Sequence, residues 1–89
     1  HVYMTIGESV NAKILLGNSK SINDIIDWFG DKIKIEEKEG LLYALFKVNE
    51  KALVYWALQY GENVEVVEPQ STRDKLNIIL KEMIEKYTN

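Results

Sequence analysis

The side chains available for chemistry in this chain are carboxylates, lysines, hydroxyls, one arginine and a set of aromatics. The only histidine is His1, at the terminus, and there is no cysteine. Imidazole bases, thiolate nucleophiles, disulfides and Cys/His zinc sites therefore have almost nothing to be built from. Two acidic groups remain: Glu36, Glu37 and Glu39, then Glu62, Glu65 and Glu68. Paired carboxylates can hold a metal or move protons, but no aspartate-rich loop with calcium spacing is present. The plainer reading is a solvated surface. No nucleophile–base pair can be drawn, so the chain reads as a non-enzyme with no cofactor and no metal.

Two places suit binding better. "PQSTRD" sets Ser71, Thr72 and Arg73 at the start of a helical pattern. Free N–H groups and the helix dipole favour an anion there, with Arg73 as a fork for phosphate or carboxylate. The competing reading is a plain helix cap, with Arg73 paired to a nearby acid such as Asp74 or Glu68, or to a partner domain. The second place is a lysine- and tyrosine-bearing strand face: Lys13, Tyr43 and Lys47, with Asn11, Leu15, Lys32, Lys34, Leu41 and Leu45. Aromatics on a central strand can stack bases while lysines meet phosphates. The competing reading is a face that packs on another domain or on a second subunit, because exposed leucines suit a protein interface.

These residues need elements to position them. Eighty-nine residues make one domain, with 46% hydrophobic and 28% charged content. Residues 1–9 read as a leader or linker, with a short extra strand as the alternative. Val10, Ala12, Ile14 and Leu16 alternate with Asn11, Lys13 and Leu15, the period of a half-buried strand. Ser21 is placed to cap a helix whose apolar face is Ile22, Ile25, Ile26 and Phe29, closed by Gly30. Ile33 and Ile35 alternate with Lys32 and Lys34, Glu39–Gly40 marks a turn, and Leu41 to Val48 returns as the other arm of a hairpin. Leu42, Ala44, Phe46 and Val48 are expected inward, and Leu41, Tyr43, Leu45 and Lys47 outward. Asn49 caps a second helix with Leu53, Trp56, Ala57 and Tyr60 on one face, ended by Gly61. Asn63 to Glu68 is a strand stopped by Pro69. Ser71 is expected to cap a last helix over 72–87, with Leu76, Ile79, Leu80, Met83, Ile84 and Tyr87 as a buried stripe. Trp28, Phe29, Tyr55, Trp56, Tyr60 and Tyr87 read as core aromatics at helical spacing.

The element order β-α-β-β-α-β-α places the chain in the α+β class. It predicts a ferredoxin-like βαββαβ sandwich, antiparallel sheet order 4-1-3-2, plus a C-terminal helix.

The run "LVYWALQYGENVEVVEPQSTRDKLNIILKEMIEKY" resembles the C-terminal end of bacterial WYL-domain transcriptional regulators. The matching residues are Trp56, Leu58, Gly61, Val64, Glu65, Val66, Pro69, Arg73 and Tyr87. The resemblance covers residues 10–89 and is most specific over 53–87. It implies the WYL C-terminal extension, or WCX domain, with the helix-turn-helix and WYL domains preceding it in a longer parent protein. A regulatory role follows from it: dimerisation and effector sensing, in a cytoplasmic bacterial transcription factor. The implied partners are the WYL domain of the same parent chain, a second copy of it, and a small effector or single-stranded nucleic acid. The absence of an initiator methionine at position 1 fits a fragment. The net charge of −3 argues against duplex DNA held by charge alone, and no apolar run is long enough for a membrane span. The other reading of the same topology is a free-standing ferredoxin-like domain that binds a small metabolite and pairs sheets edge to edge. An upstream helix-turn-helix favours the first reading, and a methionine just before this stretch favours the second.

Overall fold

The computed structural model describes residues 8–17, 20–30 and 32–88. The elements are β1 (Ser9–Leu16), α1 (Lys20–Phe29), β2 (Lys34–Lys38), β3 (Leu41–Asn49), α2 (Glu50–Gln59), β4 (Val64–Glu68) and α3 (Gln70–Lys86). The strands form one antiparallel four-stranded sheet in the order β2-β3-β1-β4, which from the opposite edge reads 4-1-3-2. β1 runs beside β3 for its whole length, from Ser9 opposite Asn49 to Leu16 opposite Leu42.

The alternation along these strands decides the core. Ala12, Ile14 and Leu16 of β1, Ala44, Phe46 and Val48 of β3, and Val66 of β4 are buried on one face. Ile25 of α1, and Leu53, Trp56 and Ala57 of α2, complete the same cluster. Phe29 links the two helices to the sheet, with ring centroids 5.0 Å from Phe46 and 5.7 Å from Trp56. Trp28 lies outside this core, exposed, and its indole N–H donates to the Tyr60 hydroxyl at 3.3 Å.

The turns have local causes. Glu39 and Gly40 both take positive φ, 53° and 80°. A two-residue hairpin loop whose twist matches its strands requires this conformation. Gly17 passes so close to the loop before β4 that its N–H donates to the Asn63 carbonyl at 2.7 Å. An added Cβ would meet that same oxygen at 2.7 Å. Asn49 caps α2 as expected, accepting the Ala52 N–H at 3.1 Å.

Several boundaries differ from the sequence reading. β1 takes in Ser9, and the Glu8 carbonyl accepts the Glu50 N–H at 2.8 Å. The leader expected over 1–9 therefore gives up its last residues to the domain, while residues 1–7 lie outside those described. β2 begins at Lys34, which leaves Lys32 ahead of the strand. α1 begins at Lys20, ahead of the expected cap Ser21, whose side chain lies outside the description. α3 begins at Gln70 with Pro69 in the N-cap position and no side-chain cap. Ser71 is therefore not the cap. It sits inside the first turn, and its hydroxyl is engaged elsewhere.

The stripe expected on α3 is buried only at its start. Thr72 is fully enclosed, and Leu76 and Ile79 are half-buried. Leu80, Met83, Ile84 and Tyr87 are exposed, Tyr87 at 86%. The helix leaves the body of the domain after its second turn, so the period continues with nothing beneath it. Tyr55, at 66% exposed, and Ile26 also fall outside the core assigned to them.

Candidate functional site

The open face of the sheet carries the first candidate. Because Ala44, Phe46 and Val48 point inward, Tyr43, Leu45 and Lys47 point outward, as the alternation predicts. Cross-strand register sets out the rows. Asn11 lies opposite Lys47; Lys13 opposite Leu45, which faces Lys34 on its other side; Leu15 opposite Tyr43, which faces Glu36. Tyr43 and Lys13 are diagonal neighbours on adjacent central strands. The Lys13 ammonium lies 4.9 Å from the centroid of the Tyr43 ring. Such a contact contributes about 0.5–1 kcal/mol at a partly exposed site and keeps the cation beside the ring. Lys13 and Tyr43 are half-buried and Lys47 is exposed.

Acids interrupt this basic surface. Glu36 faces Tyr43, and Glu65 of β4 faces Leu15. Lys34 and Glu36 approach to 3.9 Å. The face is therefore a small patch of one ring with Lys13 and Lys47, flanked by the Lys34–Glu36 pair on β2 and by Glu65 on β4.

The start of α3 is the second candidate, and it is already occupied by the chain itself. Glu50, in the first turn of α2, is 6% exposed. Its Oε2 accepts from Ser71 Oγ at 2.7 Å and from Thr72 Oγ1 at 2.7 Å, and its Oε1 is bound by Lys75 Nζ. The Lys75 contact, then the Thr72 and Ser71 hydroxyls, lower its pKa from 4.5 to about 2, against the opposing effect of burial. An anion does sit at this helix start, as its residue types suggest, but it is an internal carboxylate. Thr72, expected to meet a ligand, is fully buried with its hydroxyl committed to Glu50.

Arg73 turns the other way. Its Nη1 donates to the Val66 carbonyl at 2.7 Å and to Glu65 Oε2 at 3.0 Å. It is thus paired to a nearby acid, Glu65, rather than to Asp74 or Glu68, the examples the sequence offered. The guanidinium ties the first turn of α3 to β4, and it satisfies a carbonyl on a strand that, among the described residues, pairs only with β1. Asp74 instead accepts from Gln70 Nε2 at 2.9 Å.

Arg73, Thr72 and the Lys13–Tyr43–Lys47 group therefore do not form one site. Glu50 was missed from sequence. Beside Asn49 it reads as an ordinary first-turn acid, and its partners lie 21 to 25 residues away. Among the described residues, no three His, Asp or Glu side chains gather where they could hold a metal. No described helix is long and apolar enough to cross a membrane.

The sheet and helices define a small α+β domain in which a long last helix is docked by its first turns. The family model of the WCX domain matches residues 8–84, and the chain belongs to that family. No match is found among the curated proteins.

Proposed function

We propose that this chain is the C-terminal regulatory domain of a WYL-type, helix-turn-helix bacterial transcriptional regulator. On this reading it is a non-enzymatic, ferredoxin-like domain of a cytoplasmic protein, works in dimerisation, and supports effector sensing beside the WYL domain. Membership of the WCX family supports the reading, and so does a sheet order that fits a split βαβ unit. The observation that carries the sensing role is the Lys13 ammonium held against the Tyr43 ring in the middle of the open sheet face. With Lys47 nearby, that pair offers a stacking surface and two cations to a short single strand or to an anionic effector. Arg73 stands at the β4 edge beside Glu65. Both of its bonds run through Nη1, so Nη2 and Nε are the atoms that would meet an effector carboxylate or phosphate.

The test is an amide NMR titration of the chain with a short single-stranded DNA at two salt concentrations. The expected result is a set of shifts centred on Lys13, Tyr43 and Lys47, weakened at the higher salt because phosphate contacts release counterions. An unchanged spectrum at both concentrations would assign the open face to packing against the WYL domain and remove it from effector contact.

A further inference from the structure

α3 lines a groove of about 770 Å³ on one of its sides. Arg73, Leu76, Leu80 and Met83 form the helical wall, and Tyr60 and Val64 belong to the opposite one. The same helix ends in Tyr87, 86% exposed. Tyr87 stands about three turns beyond Leu76 on the same straight helix, so it cannot reach the Leu76 end of the groove in its own chain. Leu76, Leu80, Met83 and Tyr87 are spaced by four, three and four residues. That 3.5-residue period puts apolar side chains along one seam facing a partner helix.

We infer that α3 docks against α3 of a second copy, antiparallel, so that Tyr87 of each chain enters the groove of the other. This names the surface for the dimerisation part of the proposed function, and it rests on that reading. The pairing is its own complement under a two-fold axis. Leu80 lies across from the partner's Met83, and Leu76 across from the partner's Tyr87. The seam is free of charge, since Lys81, Glu82 and Glu85 fall on the far side of a 3.6-residue helix. A specific interface needs roughly 1,000 Å² in total, or roughly 500 Å² from each chain. The exposed parts of Leu80, Met83, Ile84 and Tyr87, at 46%, 42%, 64% and 86%, are of that size. An antiparallel crossing also keeps the two domain bodies at opposite ends of the helix pair, where they do not collide.

Sedimentation velocity on the 89-residue chain tests this over a concentration series. The expected species has twice the 10.3 kDa chain mass. Met83→Lys is expected to raise the half-dimer concentration at least roughly tenfold, with an unchanged circular dichroism spectrum, because Met83 lies outside the core. A cross-link fixes the geometry, helped by the lack of native cysteine. Leu80→Cys chains mixed with Met83→Cys chains should oxidise mainly to the mixed dimer, while Lys81→Cys chains on the outer side should not couple. A chain that stays at 10.3 kDa up to millimolar concentration would overturn the inference. So would a dimer indifferent to Met83→Lys and lacking the mixed cross-link, which would leave dimerisation standing but move it to another surface. The titration above reads Lys13, Tyr43 and Lys47, none of which lies on the α3 seam, so its outcome separates failure of the regulator reading from failure of this interface.

Discussion

The two halves of α3 carry the same apolar period and meet different fates. Over Gln70 to Ile79 the helix is anchored from three directions. Thr72 is enclosed, Arg73 reaches β4, and Lys75 with Ser71 and Thr72 surrounds the Glu50 carboxylate. Over Leu80 to Tyr87 the stripe goes on, yet every residue is exposed. Amphipathic period states which side of a helix wants cover; it does not say how far cover extends. Here the sheet and α2 end before the helix does. The first half belongs to this domain's own stability, and the second is the exposed stripe on which the proposed association rests.

The largest effect expected from breaking this contrast comes from Glu50→Ala. It would leave Lys75 and two hydroxyls without their acceptor and cost about 3 kcal/mol, read as a lower urea midpoint with an unchanged slope. Protonation offers the same test without mutation. Because the folded-state pKa of Glu50 is depressed from 4.5 to about 2, its stabilisation is fully present above about pH 4.5. It is lost as the pH falls towards 2, up to about 3 kcal/mol in all. Glu50→Gln should flatten that part of the acid unfolding curve; a curve identical to the parent's would show that the carboxylate is not held as described.

A smaller pair of substitutions compares the halves directly. Leu76→Ala is expected to cost about 1–2 kcal/mol, since Leu76 is half-buried against the core. Ile84→Ala should change monomer stability by less than about 0.5 kcal/mol, measured by thermal unfolding at low concentration. Similar losses at both positions would mean that the distal half packs on its own domain. A comparably small effect is expected at the open face, where Lys13→Ala should cost no more than about 1 kcal/mol. Its signature is loss of the salt-sensitive shifts on single-strand titration.

Much of the fold was legible because it is encoded at short range. Strict alternation in "VNAKIL" and "LLYALFKV" separated inward from outward side chains on β1 and β3, and the Glu39–Gly40 turn marked the hairpin. The candidate sites were less legible. Ser71, Thr72 and Arg73 suggested a ligand anion at the start of α3; two of them, Ser71 and Thr72, hold a glutamate of the same chain instead, a difference residue types cannot tell. Arg73 had three acids within eight residues, and the choice of Glu65 follows from β4 presenting that side chain on the side Arg73 can reach. The aromatics divided in the same way. Trp56 is fully buried while Tyr55, its neighbour, is 66% exposed, since adjacent helix positions point about 100° apart and only one can face the sheet.

By itself the sequence determined the element order, the faces of the central strands, the turn at Glu39–Gly40 and the exclusion of histidine and cysteine chemistry. Each of these depends on residues a few positions apart. Only the tertiary structure decided that Glu50 closes over the start of α3, that Arg73 braces the β4 edge, and that the stripe from Leu80 to Tyr87 is left bare. Those outcomes depend on contacts between distant segments and on where neighbouring elements stop, which local pattern does not encode.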